Sequence, residues 1–323
     1  MLPRHITTAF ALILSIVAFN PQPAPAFEAN VLNSVVSVLP NWLRWKQADS
    51  KARMPDAPEG TAVAILAGGY LITNAHVLGS AKEVDIRLND GKLVAVQIVG
   101  RDLRTDLALL KAPEDLPLLP PSAIPSLGSD VCSVGNQFGL GLSVTCGVVS
   151  AVHRTGTGFN VVEDFIQTDA TVNPGGSGGA LVNTNGQLVG MVSAIFTKNS
   201  DSNIGINFAA STPLLMRVAT DIRDHGRVMW GRSGLRVGAL SIDQRRTVSG
   251  AKIIHIEPDG AAQRAGLKSN DIIVQVGDRR IIKPTDATSA IALYRPGDKI
   301  LIIYQRPDKR GGERRETTLL LAP

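Results

Sequence analysis

Between Val31 and Val192 the apolar residues come in short runs separated by turn residues, at 35–39, 61–66, 70–73, 84–88 and 93–99. Several of these runs alternate apolar and polar side chains, the period of a strand with one buried face, and Asn89-Asp90-Gly91 between the last two is a hairpin signal. Many short strands joined by tight turns predict a barrel or sandwich, because a sheet must close on itself or on a second sheet to cover its apolar face. Residues 46–60 are polar, proline-containing and aperiodic, which predicts an exposed loop. At Ser211 the period changes. Leu214, Leu215, Val218 and Ile222 fall on one face of a helix, with Ser211 or Thr212 as cap, Pro213 in the first turn and Gly226 as the stop. After Trp230-Gly231-Arg232-Ser233-Gly234 a second module begins, with strands near 235–239, 251–256, 272–276, 299–305 and 316–321 and helices over 259–266 and 285–294. That mixture describes a small α+β domain, so the expected division is 1–26, 27–229 and 230–323.

The composition suits folded material. Of 323 residues 44% are apolar and 19% charged, which excludes global disorder, and the chain shows no heptad, solenoid or collagen repeat. Its one long apolar run sits at the N-terminus: Arg4, an apolar stretch over 9–19, then Pro21, Pro23 and the small-x-small triplet Ala24-Pro25-Ala26. This is the construction of a secretory signal cut after Ala26, and the expected location is periplasmic or otherwise exported. The competing reading, a retained anchor, meets a run of about a dozen residues where about 20 are needed to span hydrocarbon. The net charge of +5 is unevenly placed, since residues 230–323 hold 17 Lys and Arg against 10 Asp and Glu. A basic end can serve nucleic acid or an anionic membrane surface. Here the charges are scattered singly without interleaved aromatic residues, so a solvated face is the expectation and no nucleic-acid partner. The two cysteines, Cys132 and Cys146, flank the turn-rich stretch 135–141. A hairpin centred near Gly139 would place them opposite one another, and both a disulfide and a pair of small buried residues fit that placement. Two cysteines with no His or Cys at ligand spacing do not make a zinc set, and neither metal nor cofactor is expected.

Three segments carry the chemistry. In Asn173-Pro174-Gly175-Gly176-Ser177-Gly178-Gly179 a serine stands between glycines that leave its hydroxyl free and let the backbone amides turn inward. His76 follows directly on the apolar run ending Thr73-Asn74-Ala75, and Asp106 opens the apolar run Leu107-Ala108-Leu109-Leu110. Singly these are a linker, a surface histidine and a turn residue; together they supply a nucleophile, its base and the group that orients the base. The serine loop also fits the G-x-S-x-G elbow of α/β-hydrolases. Those enzymes need a helix straight after the serine and the order serine, acid, histidine, whereas this chain continues as a β-hairpin and runs His76, Asp106, Ser177.

With Thr73-Asn74-Ala75-His76-Val77, Thr105-Asp106-Leu107-Ala108-Leu109-Leu110, Gly135-Asn136-Gln137-Phe138-Gly139, Gln167-Thr168-Asp169-Ala170, the serine loop and Ile204-Gly205-Ile206-Asn207-Phe208-Ala209 in this order, the chain resembles the HtrA (Deg) family of chymotrypsin-like serine proteases. The resemblance implies an all-β protease domain of two six-stranded barrels with the active site between them, cleaving unfolded or misfolded proteins without ATP or metal. It implies Gly175 and Ser177 as the oxyanion hole, and a pocket walled by Val172, Ser193, Ala194, Ile195, Ile204 and Phe208. Ser193 is also a candidate buttress for the Asp106 end. With no acidic wall residue, that pocket should prefer small or medium apolar side chains. Residues 260–273, Val276-Gly277-Asp278 and 295–299 look like the PDZ domain that follows such proteases, a module that takes peptide C-termini beside a sheet edge. By position Arg232, Ser233, Gly234 and Leu235 form its carboxylate loop. The family usually has an apolar residue where Ser233 stands and Asn where Gly176 stands, which leaves the serine loop without a side chain to steady it. The family also implies a homotrimer, to which the apolar segment 31–45 is a candidate contributor. A protease-fold chaperone that binds unfolded chains without cutting them is the competing function.

Overall fold

The computed structural model describes residues 30–40, 60–195, 204–307 and 312–323. The signal segment 1–26, the residues Trp42, Leu43 and Trp45, and the expected loop apart from Gly60 lie outside the described residues. Gly60 itself is buried and opens a strand rather than ending a loop.

A one-turn helix α1 (Asn30–Asn33) leads into the first closed barrel. That barrel consists of β1 (Val35–Pro40), β2 (Gly60–Leu66), β3 (Tyr70–Asn74), β4 (Val84–Arg87), β5 (Leu93–Asp102) and β6 (Leu107–Lys111), in the spatial order β1-β2-β3-β6-β5-β4. A second helical turn, α2 (Ala75–Leu78), follows β3. The second closed barrel is built in the same antiparallel manner from β7 (Asp130–Gly135), β8 (Ser143–Arg154), β9 (Phe165–Thr168), β10 (Ala180–Asn183), β11 (Leu188–Ile195) and β12 (Asn207–Ser211). Closure leaves no sheet edge exposed, which is how so many short strands become stable.

Alternate residues of one strand feed different cores. Val36, Val38, Ala62, Ala64, Leu71, Ala108 and Leu110 pack together in the first barrel. Their neighbours Val35, Val63, Ile65, Ile72, Leu107 and Leu109 join a larger core with Val134, Phe165, Ala180 and Val182 of the second barrel. Strands buried on both faces read as continuous apolar runs rather than strict alternation. The same core receives helix α3 (Thr212–His225) through Leu214, Leu215, Val218 and Ile222, the face its spacing predicted. Ser211 caps this helix by accepting the Leu214 amide at 3.5 Å, and Gly226 ends it in the left-handed region at φ 69°.

The third unit is a sheet of β13 (Leu235–Gly238), β14 (Ala251–Ile256), β15 (Ile272–Val276), β16 (Arg279–Arg280), β17 (Lys299–Arg306) and β18 (Glu313–Leu320). With it come α4 (Ile242–Arg245), α5 (Ala261–Arg264) and α6 (Pro284–Ala292). Ala251, Ile253, Ile273, Ile300, Ile302 and Leu319 of the sheet pack against Ala262, Ala287, Ala290 and Ile291 of the helices.

Candidate active site

Asp106 sits at φ 57°, a left-handed backbone that Asp tolerates better than most side chains, at the turn into β6. This turn is tied to the histidine segment at several points. The Ala75 amide donates to the Asp106 carbonyl at 3.0 Å, and the His76 amide donates to Asp106 Oδ1 at 2.9 Å. The imidazole Nδ1 lies 2.6 Å from Asp106 Oδ2. An N–H held against a carboxylate fixes the ring's tautomer and leaves Nε2 free to take a proton. Asn74, wholly buried at the end of β3, places its amide nitrogen 3.2 Å from Asp106 Oδ2 and 3.0 Å from Ser193 Oγ. Ser193 therefore reaches the acid through Asn74.

Ser177 lies on a loop clasped from both barrels. Thr61 of β2 donates its hydroxyl to the Gly175 carbonyl at 2.7 Å and its amide to the Ser177 carbonyl at 2.9 Å. Thr73, three residues before His76, donates to the Thr61 carbonyl at 2.7 Å, and the Gly178 amide donates to Val192 of β11 at 2.8 Å. The Phe138 amide donates to the Pro174 carbonyl at 2.6 Å. In a trans peptide the carbonyl and the following N–H point to opposite sides, so that bond turns the Gly175 amide away from Phe138. The amides of Gly175 and Ser177 donate to no backbone carbonyl among the described residues, and Gly175 is buried. A buried amide without a partner is rare, and here the Gly175 amide is joined by that of half-buried Ser177 beside the same hydroxyl. No hydrogen bond joins the Ser177 hydroxyl to the His76 ring among the described residues. Such contacts are often long before substrate binds.

Gly176 does not adopt the left-handed region; Gly175 at φ 91° and Gly178 at φ 86° do. A side chain at 176 would put its Cβ 3.0 Å from the Asn173 carbonyl and 3.2 Å from Val172. Of the expected pocket wall, Val172 and Ser193 are buried and Ile204 is exposed. Phe208 is buried against the rings of Phe159 and Phe165, each 5.7 Å away. The side chains of Ala194 and Ile195 lie outside the described residues. Cys132 and Cys146 are directly opposed in β7 and β8 and are disulfide-bonded.

In the C-terminal unit the carbonyls of Ser233 and Gly234 accept the amides of Ala262 and Glu257 at 2.9 and 2.7 Å. The amides of Ser233 and Gly234 donate to no backbone carbonyl among the described residues. Leu235 opens β13, which lies beside α6 at the edge of the sheet.

Comparison with known proteins agrees with this anatomy. Residues 60–191 match the trypsin-like peptidase domain and residues 202–321 match a PDZ domain. The second match reaches back over β12 and α3, which the fold places in and against the second barrel. The chain is 32% identical over 320 residues to the serine endoprotease DegS of Escherichia coli strain K12, covering 92% of this chain and 89% of that protein. It is 34% identical over 272 residues to the periplasmic pH-dependent serine endoprotease DegQ of the same strain, covering 79% of this chain and 60% of DegQ. The solved HtrA-type protease AlgW with a tripeptide superposes with a TM-score of 0.69 at 34% identity, over 91% of this chain and 96% of AlgW.

Proposed function

This chain belongs to the HtrA (Deg) family of serine endoproteases, and from that premise we propose that it hydrolyses peptide bonds of unfolded or misfolded exported proteins through an acyl-enzyme, without ATP. Ser177 attacks the scissile carbonyl, His76 takes its proton and returns it to the leaving amine, and Asp106 orients the imidazole and stabilises its cation. The Gly175 and Ser177 amides receive the oxyanion. Losing one such donor costs about 2.7–4 kcal/mol of barrier in a well-studied protease, so order in this loop governs the rate. The observation that carries the reading is the pair of unspent amides of Gly175 and Ser177, on a loop clasped by Thr61, which is itself held by Thr73 of the strand that leads to His76. Uncharged Val172 and Ser193 favour an apolar residue before the scissile bond, because such a pocket cannot repay the desolvation of a cation.

The PDZ domain, residues 230–323 in our division, holds peptide C-termini, with the carboxylate at the free amides of Ser233 and Gly234 and the strand beside β13. The solved AlgW structures with a decapeptide and a tripeptide support a peptide ligand. Relatives named periplasmic, together with the N-terminal signal pattern, support cleavage after Ala26 and export. Among the described residues no helix is long and apolar enough to cross a membrane. The working assembly is a homotrimer. Val31, Val35, Val36 and Val38 are core residues, so the N-terminal contribution to it falls to the remaining apolar side chains of 31–45.

The test is labelling by a fluorophosphonate probe and digestion of casein, for wild type and Ser177→Ala, each with and without a peptide ending in an apolar residue. Wild type should label and digest, and the variant should do neither. Digestion that survives Ser177→Ala overturns the mechanism. A folded wild type that binds casein yet neither labels nor cuts under both conditions is a chaperone instead. Product profiling that finds mainly Lys or Arg before the cut overturns the pocket assignment.

A further inference from the structure

The loop that presents the catalytic acid also walls the groove of the C-terminal domain. A cavity of about 400 Å³ lies between β13 and α6 over an apolar floor of Leu235, Val237, Ile254 and Ile291, and Arg104 and Trp230 close one side of it. An adjoining cavity shares this Arg104–Trp230 wall and adds Arg232, His255 and Glu257 at its rim. Arg104 belongs to the protease barrel, two residues before Asp106.

Its position is built rather than accidental. The Arg104 guanidinium lies 4.7 Å from the centre of the Trp230 ring, a stacking that holds a cation without neutralising it. Trp230 donates its indole N–H to Asp102 Oδ1 at 3.3 Å, and Asp102 Oδ2 accepts the Thr105 amide at 3.0 Å and the Thr105 hydroxyl at 2.7 Å. The Arg104 carbonyl accepts the Val162 amide at 2.8 Å. Backbone and ring are thus both fixed while the side chain stays exposed at the cavity.

Of the charged groups around the groove, Arg232 is paired with Glu257 at 2.8 Å. Among the described residues neither Arg104 nor Arg236 has a carboxylate partner. An apolar floor with an unneutralised cationic rim is complementary to a ligand with an apolar end and a negative charge close to it.

We propose that Arg104 is a specificity residue of the peptide groove: with Arg236 it pairs with an acidic side chain a few residues upstream of an apolar peptide C-terminus. This rests on the reading of residues 230–323 as a domain that holds peptide C-termini. The terminal carboxylate goes to the Ser233–Gly234 amides, so the upstream charge is a separate determinant and is tested separately.

The experiment uses the full chain carrying Ser177→Ala, which cannot consume the probe, and fluorescent peptides of one sequence ending in Leu. These peptides carry Asp, Asn or Lys at one of the positions just before the last, with a free or an amidated C-terminus. Anisotropy titrations should show the Asp peptide binding about three- to tenfold tighter than the Asn peptide at low salt. The difference should shrink at roughly 0.5 M salt, where the Debye length is only a few ångströms. Adding Arg104→Met, which keeps an unbranched stem against Trp230, should bring the Asp and Asn peptides together. Arg104→Glu should reverse the order in favour of the Lys peptide, a gain that a misfolded variant cannot produce. Equal binding of Asp and Asn peptides at every position, or an acidic preference that survives both substitutions, overturns the role of Arg104 while leaving the groove a peptide site. Absence of binding by every free-carboxylate peptide overturns the peptide-groove reading and this proposal with it.

Discussion

Asn74 does for the Asp106 carboxylate, the acid of the proposed mechanism, what its place in the sequence motif does not reveal. Its amide nitrogen reaches both the Asp106 carboxylate and the Ser193 hydroxyl, so it couples a first-barrel turn to a second-barrel strand, and it leaves the N-terminus of α2 without a side-chain cap. Replacing it by Ala removes a buried donor to the group that orients His76. The expected result is a fall of about tenfold in kcat with KM nearly unchanged, because substrate binding is untouched while transition-state support is lost. Asn74→Ser, which restores a donor, should recover part of it; steady-state kinetics on a chromogenic peptide check both. Gly178 is the opposite case, where space rather than bonding decides. A Cβ there would stand 1.8 Å from the Thr61 carbonyl, at a φ of 86° that side chains resist. Gly178→Ala is therefore expected to cost more than about 4 kcal/mol, the range reserved for strained or overpacked sites, and to show as loss of the cooperative urea transition.

Among the elements, the β7–β8 hairpin has the most direct hold on the serine loop. Its tip carries Gln137, which accepts from the Asn173 side chain at 2.7 Å, and Phe138, which pins the Pro174 carbonyl. The Cys132–Cys146 bond lies at its base, and Cys146 is exposed, unlike the buried pair that was one of two sequence expectations. Closing a loop of 14 residues is worth about 3 kcal/mol in the chain-entropy picture. A Cys132→Ala, Cys146→Ala double variant should melt about 5–10 °C lower. Its fluorophosphonate labelling should also slow, since Pro174 loses a firm anchor; calorimetry and labelling kinetics test the two separately. Apolar runs and periodicity made most strands and the α3 face legible in advance, because each of these puts apolar side chains on at least one face: β2 as a continuous run, β4 by alternation and α3 at helical spacing. It failed where pairing is carried by charged or small residues. β5 runs on through Gly100, Arg101 and Asp102 because they pair with β6, and β18 starts at Glu313 rather than 316 because its exposed polar residues pair with β17. Helix α4, a single turn closed by a Ser241–Gln244 capping box, is too short to leave a period. His76, Asp106 and Ser177 stood out through their motifs. Thr61, Thr73 and the Arg104–Trp230 pair did not, since their roles exist only through contacts between distant parts of the chain.

At the scale of the whole molecule, buried carboxylates join the protease barrels to the PDZ domain. Asp164, fully buried, takes Ser211 Oγ at 2.6 Å, His153 Nδ1 at 2.9 Å and the Arg279 guanidinium of the PDZ domain at 3.1 Å. Asp221 on α3 accepts from Arg217 on the same helix, from the Met229 amide at 2.7 Å and from Arg295 of the PDZ domain at 2.7 Å. A third contact closes between Thr155 and Asp286 at 2.6 Å. Burial alone would raise the Asp164 and Asp221 carboxyls. The bonds from His153, Arg279 and Ser211 to the first, and from Met229, Arg295 and Arg217 to the second, outweigh it and hold both below the usual carboxylate range. A carboxyl depressed in the folded state stabilises docking fully above its unfolded value of about 3.9, and that stability is lost as pH falls through the lower folded value. Docking should therefore be insensitive to pH between about 7 and 5, begin to weaken below about 4, and fail only as pH passes the lower folded values, where Arg279 and Arg295 stay charged and lose their partners. Small-angle scattering across this range should show the radius of gyration rising only at the acid end, with pepsin cutting the 226–234 connection there. The double variant Asp164→Asn, Asp221→Asn should already be expanded at neutral pH, since removing one partner of a buried pair costs about 3–5 kcal/mol. Expansion of the wild type that begins well above about pH 5 would take control of docking away from the two carboxylates, and a double variant as compact as wild type would show that the remaining contacts, Thr155–Asp286 among them, hold the domains together without them.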